Sequence, residues 1–382
     1  MDATRDWRLE VLDCRNLENV DCKKQWQDLV KTSNNVYAPF QSPEWVESLK
    51  FLSEEAYVCF LYNPSNVLEG IAPISIKNHK IKFDISARTF FHFSIQTIKF
   101  IGSTPLLKDN LDTYRIFFDL VKQHFPKIDG FYFDSVPTSS YIWKSFLQTS
   151  QTKDQYLLHI PEGLRGHYGL SFPESFENFL NGLSKNRRKD FKKRLKKFAQ
   201  ENSENLSPLL RVDKSEQVED FIQAATEISR QSWQNDTIGN RITENRFNKA
   251  RLLELAKQGI LRSYVLYCNQ TPCAFRLGYQ LDDKYYGFES GYNVKFKDIS
   301  PGKMMTLKML EDFSKERPPT SVDFGVGEAQ WKKDFCNYTR EDASVFLLKR
   351  SLRHKLITKL QVIYYGLIEY AKKRLSQQKK NQ

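Results

Sequence analysis

The chain has no apolar run of the roughly 18 residues that a bilayer span needs, and Met1 to Cys14 contains no basic stretch leading into an apolar one. Neither a membrane span nor a secretory signal is expected, and a cytoplasmic protein is. The six cysteines, Cys14, Cys22, Cys59, Cys268, Cys273 and Cys336, form no C-x-x-C pair and have no histidines at zinc spacing. That pattern argues against a disulfide framework or a zinc site and reads as reduced, mostly buried thiols with no metal. Histidine is scarce as well, and all six lie outside residues 168–353. A Ser–His or Cys–His nucleophile built within that stretch is not expected, although a histidine from the first half could reach across.

At 382 residues, the chain is long enough for two domains and a tail. Hydrophobic residues make up 40% and charged residues 27%, a globular balance. The net charge of +12 is concentrated: residues 184–197 carry +8 and residues 349–382 carry +9, which leaves −5 for everything else. A mildly acidic body is not one built to wrap nucleic acid. The two basic elements are either local contacts for something anionic or solvated helix faces.

Hydrophobic patterning predicts alternating strands and helices. Residues 57–62 and 67–76 form a hairpin about Asn63-Pro64-Ser65-Asn66, followed by a helix at 110–124 and a strand at 131–134. In the second half, strands at 262–268 and 272–281 flank Asn269-Gln270-Thr271. A third strand follows at 284–290, then a helix at 301–316 and a strand at 321–325. The strand–strand–helix–strand order recurs, which suggests a structural duplication. Between the halves, Phe176, Leu180, Leu183, Arg187, Phe191, Leu195 and Phe198 fall three and four apart, as on one face of a single long basic helix over 173–200. On that reading the Arg187 side chain points inward. A helix at 216–232 precedes Trp233, and a final helix runs from about 351. That basic, apolar-faced tail helix either docks on its own domain or lies on an anionic membrane surface.

The segment 288–335 carries the chemistry. Ser300 precedes Pro301 and Gly302, a favoured N-cap followed by a favoured first helical residue. Free amides of the first turn, the helix dipole and Lys303 would hold an anion such as a diphosphate. The plain alternative is a capped helix start with no ligand. The strands before and after this helix would be parallel neighbours, and ligands in such sheets sit at carboxyl ends of strands. Gly325 and Gly327 allow close approach there.

The chain resembles the CelD/BcsL-like GNAT acetyltransferases, a family linked to cellulose and other exopolysaccharide biosynthesis. The likeness rests on Leu183-Ser184-Lys185-Asn186-Arg187-Arg188, Ser232-Trp233, Gly291-Tyr292, Ser300-Pro301-Gly302, Asp323-Phe324-Gly325 with Gly327, and Trp331-Lys332. Phe40-Gln41-Ser42-Pro43-Glu44-Trp45 and Ala72-Pro73-Ile74 extend it to the first half, so it spans about residues 36–350. The family usually has Asp where this chain has Asn293 and Tyr where it has Trp331. An amide takes up no proton at neutral pH, so a base role at Asn293 is in doubt.

The resemblance implies an α/β (α+β) tandem GNAT fold, two mixed sheets with flanking helices, similar to the Fem-type aminoacyltransferases. It implies a degenerate domain over 1–165, a domain over 166–350 that binds acetyl-CoA or another acyl-CoA, and a tail over 351–382. The cofactor would lie between splayed strands 284–291 and 321–325, against Ser290, Gly291, Ser300, Pro301, Gly302 and Lys303. Direct attack on the thioester is expected, with Glu289, Asp323 or a water they hold taking the proton and Lys332 stabilising negative charge. Arg187, Arg188 and Trp233 would face the acceptor, a sugar or cell-envelope precursor. Two alternatives stand beside this reading: a Fem-like transferase that uses aminoacyl-tRNA, and a non-catalytic scaffold.

Overall fold

In the computed structural model, which describes residues 6–17, 21–52, 55–85, 88–201, 208–232 and 249–380, the chain forms two units. One is Met1–Arg165 with Glu341–Gln382, the other Gly166–Arg340.

The first unit opens with β1 (Arg8–Asp13), α1 (Lys23–Thr32), α2 (Pro43–Glu47) and β2 (Ala56–Tyr62). Two long strands follow, β3 (Leu68–Ile85) and β4 (Arg88–Phe100), then β5 (Leu106–Leu107), α3 (Leu111–His124), β6 (Gly130–Pro137), α4 (Ser150–Gln155) and β7 (Tyr156–His159). Strands β1 to β4 pair antiparallel in chain order. β6 then joins β4 in parallel, over Thr97–Lys99 only. The helix between them buries Ile116, Phe117, Phe118 and Val121 against Phe100, Phe131 and Phe133, one apolar stripe of an amphipathic helix. The outer part of β3 and all of β4 escaped the sequence reading.

The second unit contains β8 (Leu164–Ser171), α5 (Phe176–Gly182), α6 (Lys185–Glu201), β9 (Leu209–Val212), α7 (Val218–Arg230) and α8 (Lys249–Lys257). It continues with β10 (Ser263–Cys268), β11 (Thr271–Leu281), β12 (Lys284–Tyr292), α9 (Pro301–Phe313), β13 (Ser321–Val326) and α10 (Gln330–Phe335). Its sheet runs β9-β10-β11-β12-β13-β8. The single basic helix expected over 173–200 is in fact two. Ser175 caps α5, Leu183 is extended (φ −77°, ψ 153°), and α6 starts afresh. Helix α9 buries Met304, Met305, Leu307, Met309, Leu310 and Phe313 beneath the strands.

The chain ends with β14 (Tyr338–Lys349) and α11 (Leu352–Lys380). From residue 342, β14 pairs with β6 and β7, and Ala343, Val345, Leu347 and Leu348 are fully buried. Residues 341–382 therefore belong to the first unit, where the sequence reading had ended the second domain at 350 and set the tail apart. The two units share one plan: four antiparallel strands, a helix, a parallel fifth strand and an antiparallel sixth. No helix among the described residues is long and apolar enough to cross a membrane.

Candidate functional site

Strands β12 and β13 pair only over Lys284–Tyr286 and Ser321–Asp323. Beyond that point β12 stays with β11 and β13 stays with β8. The strands part, and a cavity of about 480 Å³ opens along the freed end of β12, lined from β11, β12, the start of α9 and Trp331 but by no residue of β13. Ser290, Gly291, Ser300, Pro301, Gly302 and Lys303 all line it. The Asn293 backbone N–H donates to the Cys273 carbonyl. By strand alternation, the Ser290 and Tyr292 amides then point away from β11, into the splay. Gly291 has a packing reason: a Cβ there would come within 2.6 Å of the Phe275 ring.

At the open end the expected N-cap is absent. Ser300 adopts a left-handed conformation (φ 54°, ψ 59°) and its hydroxyl makes no capping bond. It accepts instead from Arg194 Nη1 at 2.7 Å. The turn is set from upstream, where Asn293 caps the short 3₁₀ segment Val294–Ile299 and Ser300 N–H closes onto the Lys297 carbonyl. Lys303 and Met304 donate back to the Ser300 carbonyl, while Gly302 N–H has no backbone partner among the described residues. That amide faces the cavity beside the exposed Lys297. A Cβ on Gly302 would meet nothing nearer than a Tyr292 ring carbon at 3.9 Å. Lys303 is less available than expected, since it pairs with Asp334 at 2.6 Å. Burial raises the Asp334 pKa, but Lys303, Gln330 and Arg187 outweigh it and hold the carboxyl below its usual range.

At the closed end, Arg276, Trp331 and Lys332 gather near Asp323. Arg276 Cζ lies 5.0 Å from the Trp331 ring centre. Lys332 donates to the Gly325 carbonyl at 3.1 Å and the Val326 carbonyl at 2.7 Å. Burial first, and the Arg276 charge second, lower its pKa to about 8. Both Asp323 oxygens lie 2.9 Å from His167 Nε2, and Oδ1 also accepts from Gly325 N–H. Arg340 approaches His167 Nδ1 at 3.2 Å. A guanidinium only donates, so Nδ1 accepts and Nε2 carries the proton given to Asp323. The Asp323 carboxylate thus orients His167 and the β13 turn. His167 is 1% exposed and stands in the second unit, just outside the histidine-free stretch.

The remaining expected residues do not converge. Glu289 does not line the cavity, and its charge acts on Tyr279. Arg187 is exposed, not turned inward, and Arg188 is half-buried against Asn181 Oδ1 at 3.2 Å. Trp233 lies outside the described residues. Sequence reasoning missed Arg194, Arg276 and His167. Only Arg276 left a local trace, as a lone charge within the apolar strand Thr271–Leu281.

The first unit has a larger cavity, about 550 Å³, beside the start of α3. There Asn110 accepts from the amides of Asp112 and Thr113, and Asp112 stands in the first turn. Satisfied amides and a carboxylate disfavour an anion at that helix start.

Residues 185–333 match the family model described as an acetyltransferase (GNAT) domain. No curated protein sequence matches the chain. Among solved structures, FemX aligns with a TM-score of 0.61 at 11% identity, over 91% of this chain and 100% of that one. A tandem GNAT protein from the clavulanic acid biosynthesis pathway aligns at 0.52 and 12%, over 90% and 100%. A conserved protein from Bacteroides thetaiotaomicron aligns at 0.53 and 9%, over 85% and 97%. At such identities the likeness is one of fold: the chain has a mixed α/β fold of tandem GNAT type, and the match to the acetyltransferase (GNAT) domain model falls within its second half.

Proposed function

We propose that the second unit of this GNAT-fold chain moves an acyl group from acyl-coenzyme A to an amine or hydroxyl of a sugar or envelope-polysaccharide precursor. The splay between β12 and β13, ending at the Gly302 amide, which has no partner among the described residues, carries this reading. The coenzyme diphosphate would take the Gly302 end, where a free amide, the helix dipole and Lys297 favour an anion. The thioester would lie along β12, its carbonyl oxygen within reach of the Ser290 amide, which is fixed before charge develops. The acceptor lone pair attacks the carbonyl carbon, a C–N or C–O bond forms, and the C–S bond breaks. The acceptor's proton ends on the coenzyme thiol. Lys332, with its pKa near 8, is the nearby group able to pass that proton at neutral pH. The choice of acceptor rests on the family resemblance alone. A polynucleotide-borne donor gains less support, because Phe191 and Phe198 of α6 are buried and offer bases nothing to stack on.

Millimolar acetyl-CoA, but not acetate, is expected to raise Tm by several degrees through mass action. Gly302→Leu tests the same point without a folding ambiguity, because the Cβ fits while the longer side chain enters the diphosphate position. Its expected outcome is an unchanged Tm without ligand and no ligand shift. An identical shift in both proteins removes the assignment.

We also propose that the protein works peripherally, at an anionic lipid surface. Helix α11 exposes Leu352, Leu356, Leu360, Ile363, Leu367 and Tyr370, with Phe90 and Phe91 also exposed on the nearby β4 and Lys355, Lys359 and Arg374 exposed along the helix. The +9 carried by residues 349–382 repels a second copy and attracts acidic headgroups. Sedimentation with vesicles containing phosphatidylglycerol should carry down the protein at low salt and release it at high salt. Equal binding to neutral vesicles, or none to either, overturns this proposal.

A further inference from the structure

Arg276 is the cavity residue that thioester transfer alone leaves unexplained. It projects from β11 into the cavity and is 6% exposed. It stacks over Trp331 but makes no hydrogen bond among the described residues, and its Nε is buried without a partner. Arg262, in the same sheet and 3% exposed, is the contrast. It donates to Tyr264, Gln280 and Asp312 and to the carbonyls of Glu316 and Arg317. A guanidinium has five donors and keeps its charge at any accessible pH. Buried bare, it is strongly unfavourable unless an anion from outside the chain completes it.

Its position selects the source of that anion. A Cβ on Gly287 would lie 3.1 Å from Arg276 Nη1 and 3.3 Å from the Asp323 carbonyl. Gly287 follows Tyr286, the last β12 residue paired with β13. The guanidinium therefore sits at the closed end of the splay. Tyr292, which touches the Gly302 end, is five residues further along β12, roughly 16 Å at the usual strand rise. With the diphosphate at Gly302, the part of the donor that reaches Arg276 is the acyl group. We propose, on the footing of the coenzyme A reading, that the acyl group bears a carboxylate of its own, held by Arg276, so that the donor is a dicarboxylic acyl thioester. A planar carboxylate matches the guanidinium fork in two parallel hydrogen bonds, and Trp331 keeps the fork flat against the wall.

The test compares coenzyme A, butyryl-CoA and succinyl-CoA, the last two sharing a four-carbon chain, by calorimetry on the full protein, Arg276→Met and Arg276→Lys. The wild type should bind succinyl-CoA about tenfold or more tighter than butyryl-CoA, as a charge-assisted pair implies. Arg276→Met should bind coenzyme A unchanged and lose the preference, and Arg276→Lys should keep part of it. Equal binding of the two thioesters by the wild type overturns the proposal without needing either variant, and it is also what an acceptor-borne carboxylate would give. Uniform weakening of all three ligands in Arg276→Met overturns it too, because Arg276 would then serve the coenzyme or the fold. No binding of any coenzyme A form removes the donor reading and this inference together, whereas coenzyme A binding without the succinyl preference removes this inference alone.

Discussion

Lys332 stands 9% exposed where a charge is poorly tolerated, with two carbonyls to donate to and a second cation, Arg276, near by. Its pKa falls from 10.5 to about 8, so folding disfavours the ammonium form. The direction of the pH effect follows. Below about pH 8 the lysine is charged in both folded and unfolded chains, and the penalty is fully present. As pH rises from 8 towards 10.5, the folded chain sheds its proton first and the penalty fades. Wild type should therefore gain on Lys332→Met by about 1–2 kcal/mol between pH 7 and pH 10, a figure reduced for residual solvent screening. Loss of the two hydrogen bonds is common to both pH values and cancels from the comparison. Urea unfolding of both proteins at the two pH values measures it, and a pH-independent difference would contradict the depressed pKa.

At the scale of elements, the second unit was largely legible because its punctuation is local. Asn269-Gln270 and Asp282 take left-handed turns between strands, and Pro301 starts α9, close to where the patterning predicted. The basic helix misled because its apolar spacing continues through Leu183, while Gly182 and Ser184, poor helix formers, let the backbone break there. Arg187 then falls in the first turn of α6, where side chains lean beyond the packed face. β4 was missed because residues 77–100 hold no glycine or proline to mark a turn. The site divides in the same way. Its helix start and its glycines are local and could be read. The pairing of Arg194 with Ser300 spans 106 residues and that of His167 with Asp323 spans 156, so neither leaves a periodicity to find.

At the scale of the whole chain, residues 341–365 pack as part of the first unit. β14 buries its apolar face there, and α11 follows with Ile357 3% exposed in a cluster with Ile81, Phe83, Ile95, Phe346 and Leu348. His354 bonds Asp129 at 3.0 Å, and His159 bonds Gln361 at 2.6 Å. The same helix turns a second apolar row outward, in which Leu356, the immediate neighbour of Ile357, is 61% exposed. These two adjacent residues separate a packed element from an appended one. Ile357→Ala should cost about 2–4 kcal/mol by leaving a cavity in that cluster, while Leu356→Ala should change stability by less than about 0.5 kcal/mol. If α11 were only a basic appendage, both substitutions would be silent in urea unfolding. A loss confined to Ile357 shows that the first unit requires the end of the chain, and leaves the Leu356 row available for the lipid surface.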